Sequence, residues 1–204
     1  MTTTEAPPRV LQVLGRDGRG LRVVWYREED RYGQVIAYVA GPMATACLTA
    51  ELGRDRDPWP ASPPLQQCSL ESSSRGRQLA LAIGMAGKSH WSQSVETDSN
   101  APSLTFDVAC RVHRQPVWLG SSYRADPPLE ALSASTVRLT VAAGIVLTLT
   151  GEAPDSSFPV RLEVRGNHVA IAADLGRLQL PSTVRWRYRV ALAAAPAHSG
   201  DEAI

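Results

Sequence analysis

The chain contains little that would reveal a chemistry. It has one lysine, Lys88, among 21 basic residues, two phenylalanines and three cysteines in 204 residues. Its 21 basic and 20 acidic residues give a formal net charge of +1, so no overall field favours nucleic acid or an anionic membrane. No apolar run approaches the ~20 residues that a membrane span requires, and Met1–Glu5 lack the basic and apolar regions of a signal peptide. We therefore expect a soluble, cytoplasmic protein that binds neither nucleic acid nor a membrane.

Motifs for metal binding and catalysis are also missing. Cys47, Cys68 and Cys110 are widely spaced and form no CxxC pair, which argues against a zinc site. A buried free thiol suits Cys68 and Cys110, and a Cys47–Cys68 disulfide stays open. No HExxH, EF-hand loop or G-x-S-x-G elbow occurs, and Gly84–Ser89 lacks the first glycine of a P-loop. We predict no metal, no cofactor and no assigned catalytic residue.

What the chain does have is a period-two alternation of apolar and polar residues. Short runs rich in Val, Ile and aromatic residues lie between clusters of Gly, Asp and Pro, which is typical of strands and turns. The expected strands are 10–14, 21–26, 34–40, 65–71, 78–84, 90–97, 103–112, 117–123, 136–141, 145–150, 160–164, 168–173, 177–180 and 183–192. No recurring amphipathic helices separate them, which argues against βαβ units. We predict an all-β, antiparallel two-sheet β-sandwich, jelly-roll-like or larger, because about a dozen strands must pack face to face.

Three stretches depart from this pattern. Residues 44–52 suit a strand or a short helix, and residues 126–132 are predicted to form one helical turn with Asp126 as N-cap and Pro127 at the first helical position. Residues 53–64 are rich in proline and are predicted to be a long loop packed on the surface rather than a linker. The expected organisation is one domain over 1–204, with at most one or two short helices and disordered ends near 1–8 and 194–204.

The first candidate site is the hairpin formed by 90–97 and 103–112. A turn at 98–103 places Trp91 opposite Cys110 on the core face. The other face then sets four polar residues of the first strand against four residues of the second: His90, Ser92, Ser94 and Glu96 against Arg111, Ala109, Asp107 and Thr105. We interpret His90, Ser92, Asp107 and Arg111 as a polar ligand-binding face, although the solvent side of a half-buried hairpin would also look like this.

The second candidate is Arg185-Trp186-Arg187-Tyr188-Arg189. A strand here places Arg185, Arg187 and Arg189 on one face and the two aromatic residues in the core. Such an arginine stripe suits phosphate, sulfate or a carboxylated glycan. Charges that protect an edge strand from aggregation would give the same pattern.

Tryptophans provide the third candidate. Five are many for a chain with two phenylalanines. Trp91 and Trp186 fall at core positions, whereas Trp59, between prolines, and Trp118, before a Gly-Ser stretch, are the two that suit exposed platforms for stacking on sugars. For each of these two tryptophans taken alone, ordinary packing is the simpler explanation.

These features together favour a non-enzymatic β-sandwich module that binds a polar or anionic small molecule, a glycan or a partner protein. One alternative is a hydrolytic or sugar-acting enzyme that uses His90 or His113 with Asp107. Another is a structural protein that self-associates, as a homodimer, through its sheet edges.

Overall fold

The described part of the chain is built from β-strands alone. The computed structural model describes residues 7–54, 57–72, 78–154 and 158–193. The fifteen strands within them are β1 (Arg9–Leu14), β2 (Arg19–Glu28), β3 (Arg31–Ala40), β4 (Met43–Ala50), β5 (Leu65–Ser72), β6 (Gln78–Ala86), β7 (Ser89–Asp98), β8 (Ser103–Val112), β9 (Gly120–Ala125), β10 (Leu129–Ser133), β11 (Thr136–Ala142), β12 (Ile145–Glu152), β13 (Val160–Arg165), β14 (His168–Ala173) and β15 (Ser182–Leu192). None of the described residues forms a helix, so none contributes a helix long and apolar enough to cross a membrane.

The strands form two antiparallel sheets, as the predicted all-β sandwich requires. The seven-stranded sheet has the order β1-β2-β3-β4-β9-β14-β13, and the eight-stranded sheet has the order β10-β11-β12-β15-β8-β7-β6-β5. Both are unclosed, and strands from before and after residues 53–64 share the seven-stranded sheet. This sheet is joined at its middle by only three pairs between β4 and β9, from Leu48↔Ala125 to Ala50↔Tyr123.

Alternation in the sequence decides which side chains enter the core. The predicted register of the β7–β8 hairpin is confirmed, with Trp91 opposite Cys110 and Val95 opposite Phe106. Trp186 and Tyr188 on β15 are fully buried, and the three arginines between and beside them face outward, as predicted. A period-two pattern with one apolar face therefore specifies the orientation of these strands.

Hydrogen bonds between buried side chains connect the two sheets across the core. The hydroxyls of Tyr123 on β9 and Tyr188 on β15 lie 2.6 Å apart, and Gln34 Nε2 donates to Tyr123 at 3.1 Å. Trp186 Nε1 donates to Ser121 Oγ at 3.2 Å. Burial is the main reason that the pKa values of both tyrosines are raised. Because these polar groups need partners inside the core, the bonds favour one alignment of the sheets.

The predicted helical turn at 126–132 is wrong. This stretch enters strand β10, which pairs with β11 from Leu129↔Leu139 onward. The Asp126 N–H donates to the carbonyl of Cys47 at 3.1 Å, and the carbonyl of Pro128 accepts from Thr140 at 3.2 Å. A single isolated helical turn is unstable, whereas an edge position next to β11 satisfies these backbone groups.

Other boundaries differ from the predictions in smaller ways. Residues 44–52 are mainly strand β4 and not a helix, and no strand forms at 177–180. The strand predicted at 117–123 begins only at Gly120. All three cysteines are free thiols, so Cys47 and Cys68 are not bridged. The predicted disordered ends lie outside the described residues, apart from Pro7 and Pro8.

Candidate ligand-binding sites

Trp59 and Trp118, separated by 58 residues of sequence, line the same cavity on the outer face of the seven-stranded sheet. We call it the tryptophan cleft. Its volume is about 480 Å³, and it is lined by Asp57, Trp59, Ala61, Trp118, Ser122, Glu163, Arg165, His168 and Ala170. The loop between β4 and β5 supplies one wall, and β9, β14 and β13 supply the floor. Both indoles are partly exposed, so both are available to a ligand.

The position of Trp118 depends on a glycine. Its Nε1 donates to the carbonyl of Ala61 at 3.3 Å, which ties the indole to the opposite wall of the cleft. A Cβ on Gly120 would lie 2.6 Å from the Trp118 ring and 2.3 Å from the carbonyl oxygen of Ile171. Real Cβ contacts are not that short, so only glycine lets the ring lie against the start of β9.

Polar contacts with β9 hold the loop that carries Trp59. Ser62 Oγ donates to the carbonyl of Ser122 at 2.8 Å and accepts from its N–H at 3.0 Å. The N–H of Trp59 donates to Asp57 Oδ1 at 2.9 Å, which turns the chain locally. The indole of Trp59 also packs against the edge of the core. The wall of the cleft is therefore built before any ligand arrives.

Two basic side chains of the cleft are each paired with an acid. Arg165 binds Glu163 at 3.1 Å on β13. His168 Nδ1 lies 2.8 Å from Glu51 Oε1, which leaves Nε2 as the nitrogen available to a ligand. The cleft thus presents both hydrogen-bond donors and acceptors, and its lining carries two acids, Asp57 and Glu163, against one arginine.

The second candidate lies on the outer face of the eight-stranded sheet. His90 pairs with Arg111, and Ser92 with Ala109, as the sequence predicts. These residues line a cavity of about 420 Å³, the His90–Arg111 pocket, together with Gln66, Gln67, Ile83, Gly84, Met85, Trp91 and Thr183. Asp107 does not line this pocket. Asp107 pairs with Ser94 on β7. It lies four residues from Arg111 along β8, so their backbones are ~13 Å apart at the rise of a strand.

Ion pairs divide the predicted arginine stripe. Arg185 grips both carboxylate oxygens of Asp107, with Nε donating to Oδ1 at 2.6 Å, and this hydrogen bond is the main reason that the pKa of Arg185 is raised. Arg187 Nε lies 2.7 Å from Glu152 Oε2. Within the described residues Arg189 forms no ion pair and faces Thr105 and Thr150. Two of the three arginines therefore already hold an anion supplied by the protein.

The predicted enzyme residues are not drawn together. His90 lies opposite Arg111, while Asp107 is held by Arg185. His113 is exposed in the segment after β8 and does not line the His90–Arg111 pocket. In the part of the chain that the structure describes, no three His, Cys, Asp or Glu side chains are grouped closely enough to hold a metal ion.

Sequence reasoning found the two tryptophans of the cleft but missed its floor. Glu51, Glu163, Arg165 and His168 carried no predicted role in the sequence analysis. Their alternation marks them as outward-facing, but nothing local shows that β9 and the loop at 53–64 meet β14. Comparison of the sequence with protein-family models and with curated proteins found no match.

Proposed function

We propose that the protein is a non-enzymatic carbohydrate-binding module and that the tryptophan cleft holds a saccharide. The convergence of Trp59 and Trp118 on one partly exposed cavity carries the proposal. Indole faces carry a negative quadrupole that attracts the slightly positive C–H groups on the faces of sugar rings. Two such surfaces in one cleft suit a ligand with apolar faces and a polar rim.

The polar groups of the cleft support an uncharged saccharide rather than an anionic one. Arg165 is paired with Glu163, and His168 with Glu51, so a carboxylate or sulfate would have to compete with acids already in place. Sugar hydroxyls both donate and accept hydrogen bonds, and side chains of either sign accommodate them. The volume of about 480 Å³ lies in the range of small-molecule sites.

A glycan array followed by fluorescence quenching tests the proposal. Trp25, Trp91 and Trp186 are at most 2% exposed, so aqueous acrylamide reports mainly on the two tryptophans of the cleft. A saccharide that binds there should protect the emission from quenching. Absence of any array signal and of protection by any glycan would refute the proposal. Release of reducing sugar from a bound glycan would make the protein an enzyme instead.

Three single variants locate the site. Trp59→Ala and Trp118→Ala should each weaken glycan binding about tenfold, which corresponds to ~1.4 kcal/mol. Val117→Ala is the matched control, because Val117 is next to Trp118 and 87% exposed but does not line the cleft. Equal affinities of all three variants for the array-identified glycan would place its site elsewhere.

A further inference from the structure

We propose a second binding site: the His90–Arg111 pocket binds a small amphipathic carboxylate, with Arg111 holding the carboxylate and Ile83 and Met85 contacting the apolar chain. This inference does not depend on the tryptophan cleft, because the pocket lies on the outer face of the other sheet.

Strand β6 has its small residues on the core side and its large apolar residues on the outer side. A strand whose outer face is only solvated has the opposite arrangement. Its core-facing residues are small, namely Ala80, Ala82, Gly84 and Ala86. Its outward residues are large and apolar, namely Leu79, Leu81, Ile83 and Met85, and the last two are 52% and 45% exposed. A solvated sheet face normally alternates polar-out. Large apolar residues directed outward in a row therefore indicate a surface that a ligand covers.

The charged residue beside this apolar row is a cation, Arg111. Arg111 forms no ion pair within the described residues, and His90 lies directly opposite it on β7. Of the residues that the structure describes, no acid lines the pocket. Asp107, the nearest acid along β8, is occupied by Arg185. A free guanidinium with no competing acid binds a carboxylate well, because its N–H groups match the two oxygens.

A bulge shapes the wall of the pocket next to β6. The β5–β6 register shifts between Leu65 and Gln67, and Gln66 Oε1 accepts the N–H of Met85 at 3.2 Å. This bond holds Gln66 against the apolar row. Asp30 also contacts Gln66, but its carboxylate is bound by Arg31 at 2.9 Å. The wall is therefore polar without presenting an unpaired carboxylate to the ligand.

The size of the pocket favours a small molecule over a protein partner. A volume of about 420 Å³ lies within the range of small-ligand sites. Its apolar wall on β6 and its cation on β8 are separated by one strand, β7, so a ligand that reaches both has one charged end and an apolar remainder. Straight-chain carboxylates such as octanoate have these properties.

Methionine NMR provides a site-specific test in the full chain. The protein has three methionines, and Met85 lines the pocket whereas Met43 is 68% exposed on β4 of the other sheet. With [methyl-¹³C]methionine, octanoate below its micelle-forming concentration should shift the Met85 signal and leave the Met43 signal in place. Affinity should rise from butyrate to octanoate, by at most about fourfold per methylene. Octanol, which lacks the carboxylate, should bind at least tenfold more weakly than octanoate.

Paired arginine variants show whether octanoate binds at Arg111 or elsewhere on the sheet. Arg111→Gln should weaken octanoate binding at least tenfold, whereas Arg189→Gln, an arginine on the same sheet face outside the pocket, should leave it unchanged. Trp118→Ala should also leave it unchanged, whether or not the tryptophan cleft binds sugar. An unmoved Met85 signal, or equal affinities of Arg111→Gln and Arg189→Gln for octanoate, would overturn the proposal. A Met85 signal that shifts with protein concentration alone would also overturn it, by assigning the surface to a second copy of the chain.

Discussion

Truncation of Trp186 to alanine should destabilise the protein more than any change to the arginines beside it. Trp186 is 0% exposed and packs edge-to-face on Trp91, with ring centroids 5.9 Å apart. Removing a buried indole costs about 3–5 kcal/mol of unfolding free energy. The Ser121 hydroxyl also loses its donor, which adds ~1 kcal/mol. At ~2–4 °C per kcal/mol for a chain of this size, the expected fall in Tm is about 10–20 °C.

Urea unfolding followed by far-UV circular dichroism measures this loss. Trp186→Phe keeps most of the ring packing but loses the bond to Ser121, so it should cost only ~1–2 kcal/mol. It keeps the test decisive if the alanine variant does not fold. Arg189→Ala is the matched control and should change stability by no more than ~0.5 kcal/mol, because its side chain faces outward without an ion pair among the described residues. Equal unfolding free energies for Trp186→Ala and Arg189→Ala would refute the inference that β15 stabilises the protein mainly through the core-facing side chain of Trp186.

Three further predictions follow from the contacts described above. Gly120→Ala should lower the unfolding free energy by ~1–3 kcal/mol and displace Trp118, which raises the quenching of its fluorescence by acrylamide. The control Gly176→Ala, whose added Cβ meets only a side chain, should change neither stability nor quenching. Unchanged quenching in Gly120→Ala would contradict the prediction. Asp107→Asn should lower the unfolding free energy by up to ~1 kcal/mol, because it breaks the ion pair with Arg185. In urea unfolding the difference between variant and wild type should be smaller in 1 M salt, and an unchanged difference would count against a contribution from the ion pair. Burial raises the pKa of the Cys110 thiol to about 12, so the folded state keeps a proton that the unfolded chain releases, and stability should fall as pH rises above ~9. Urea midpoints at pH 8 and pH 10 should differ less in Cys110→Ala than in the wild type, and equal differences would exclude this thiol as a cause.

The sequence was informative where one face of a strand is apolar and the partner is the next strand. Trp91, Val95 and Phe106 show both features, because a short turn fixes the register and the polar face excludes a one-residue slip. The β6 strand shows where this reasoning stops. Both of its faces are apolar, so the apolar run predicts a strand but does not show that Ile83 points outward and Ala82 inward.

Neighbours that are distant in sequence could not be predicted at all. The tryptophan cleft exists because β9 lies between β4 and β14, and because Ser62 binds the backbone of Ser122. No local pattern specifies those pairings. The helical turn expected at 126–132 failed for the same reason, since its capping residues are favourable locally but β11 offers a more complete set of backbone partners.

The position of β15 determines when the protein can complete its fold during synthesis. This strand lies between β12 and β8, at the middle of the eight-stranded sheet, yet it leaves the ribosome after the other fourteen described strands. Until Ser182–Leu192 emerges, β8 and β12 each present an unpaired edge, and the core lacks Trp186 and Tyr188. Unpaired edges beside exposed apolar surface promote aggregation. We therefore expect a chain that ends before residue 182 to lack a closed core and to aggregate.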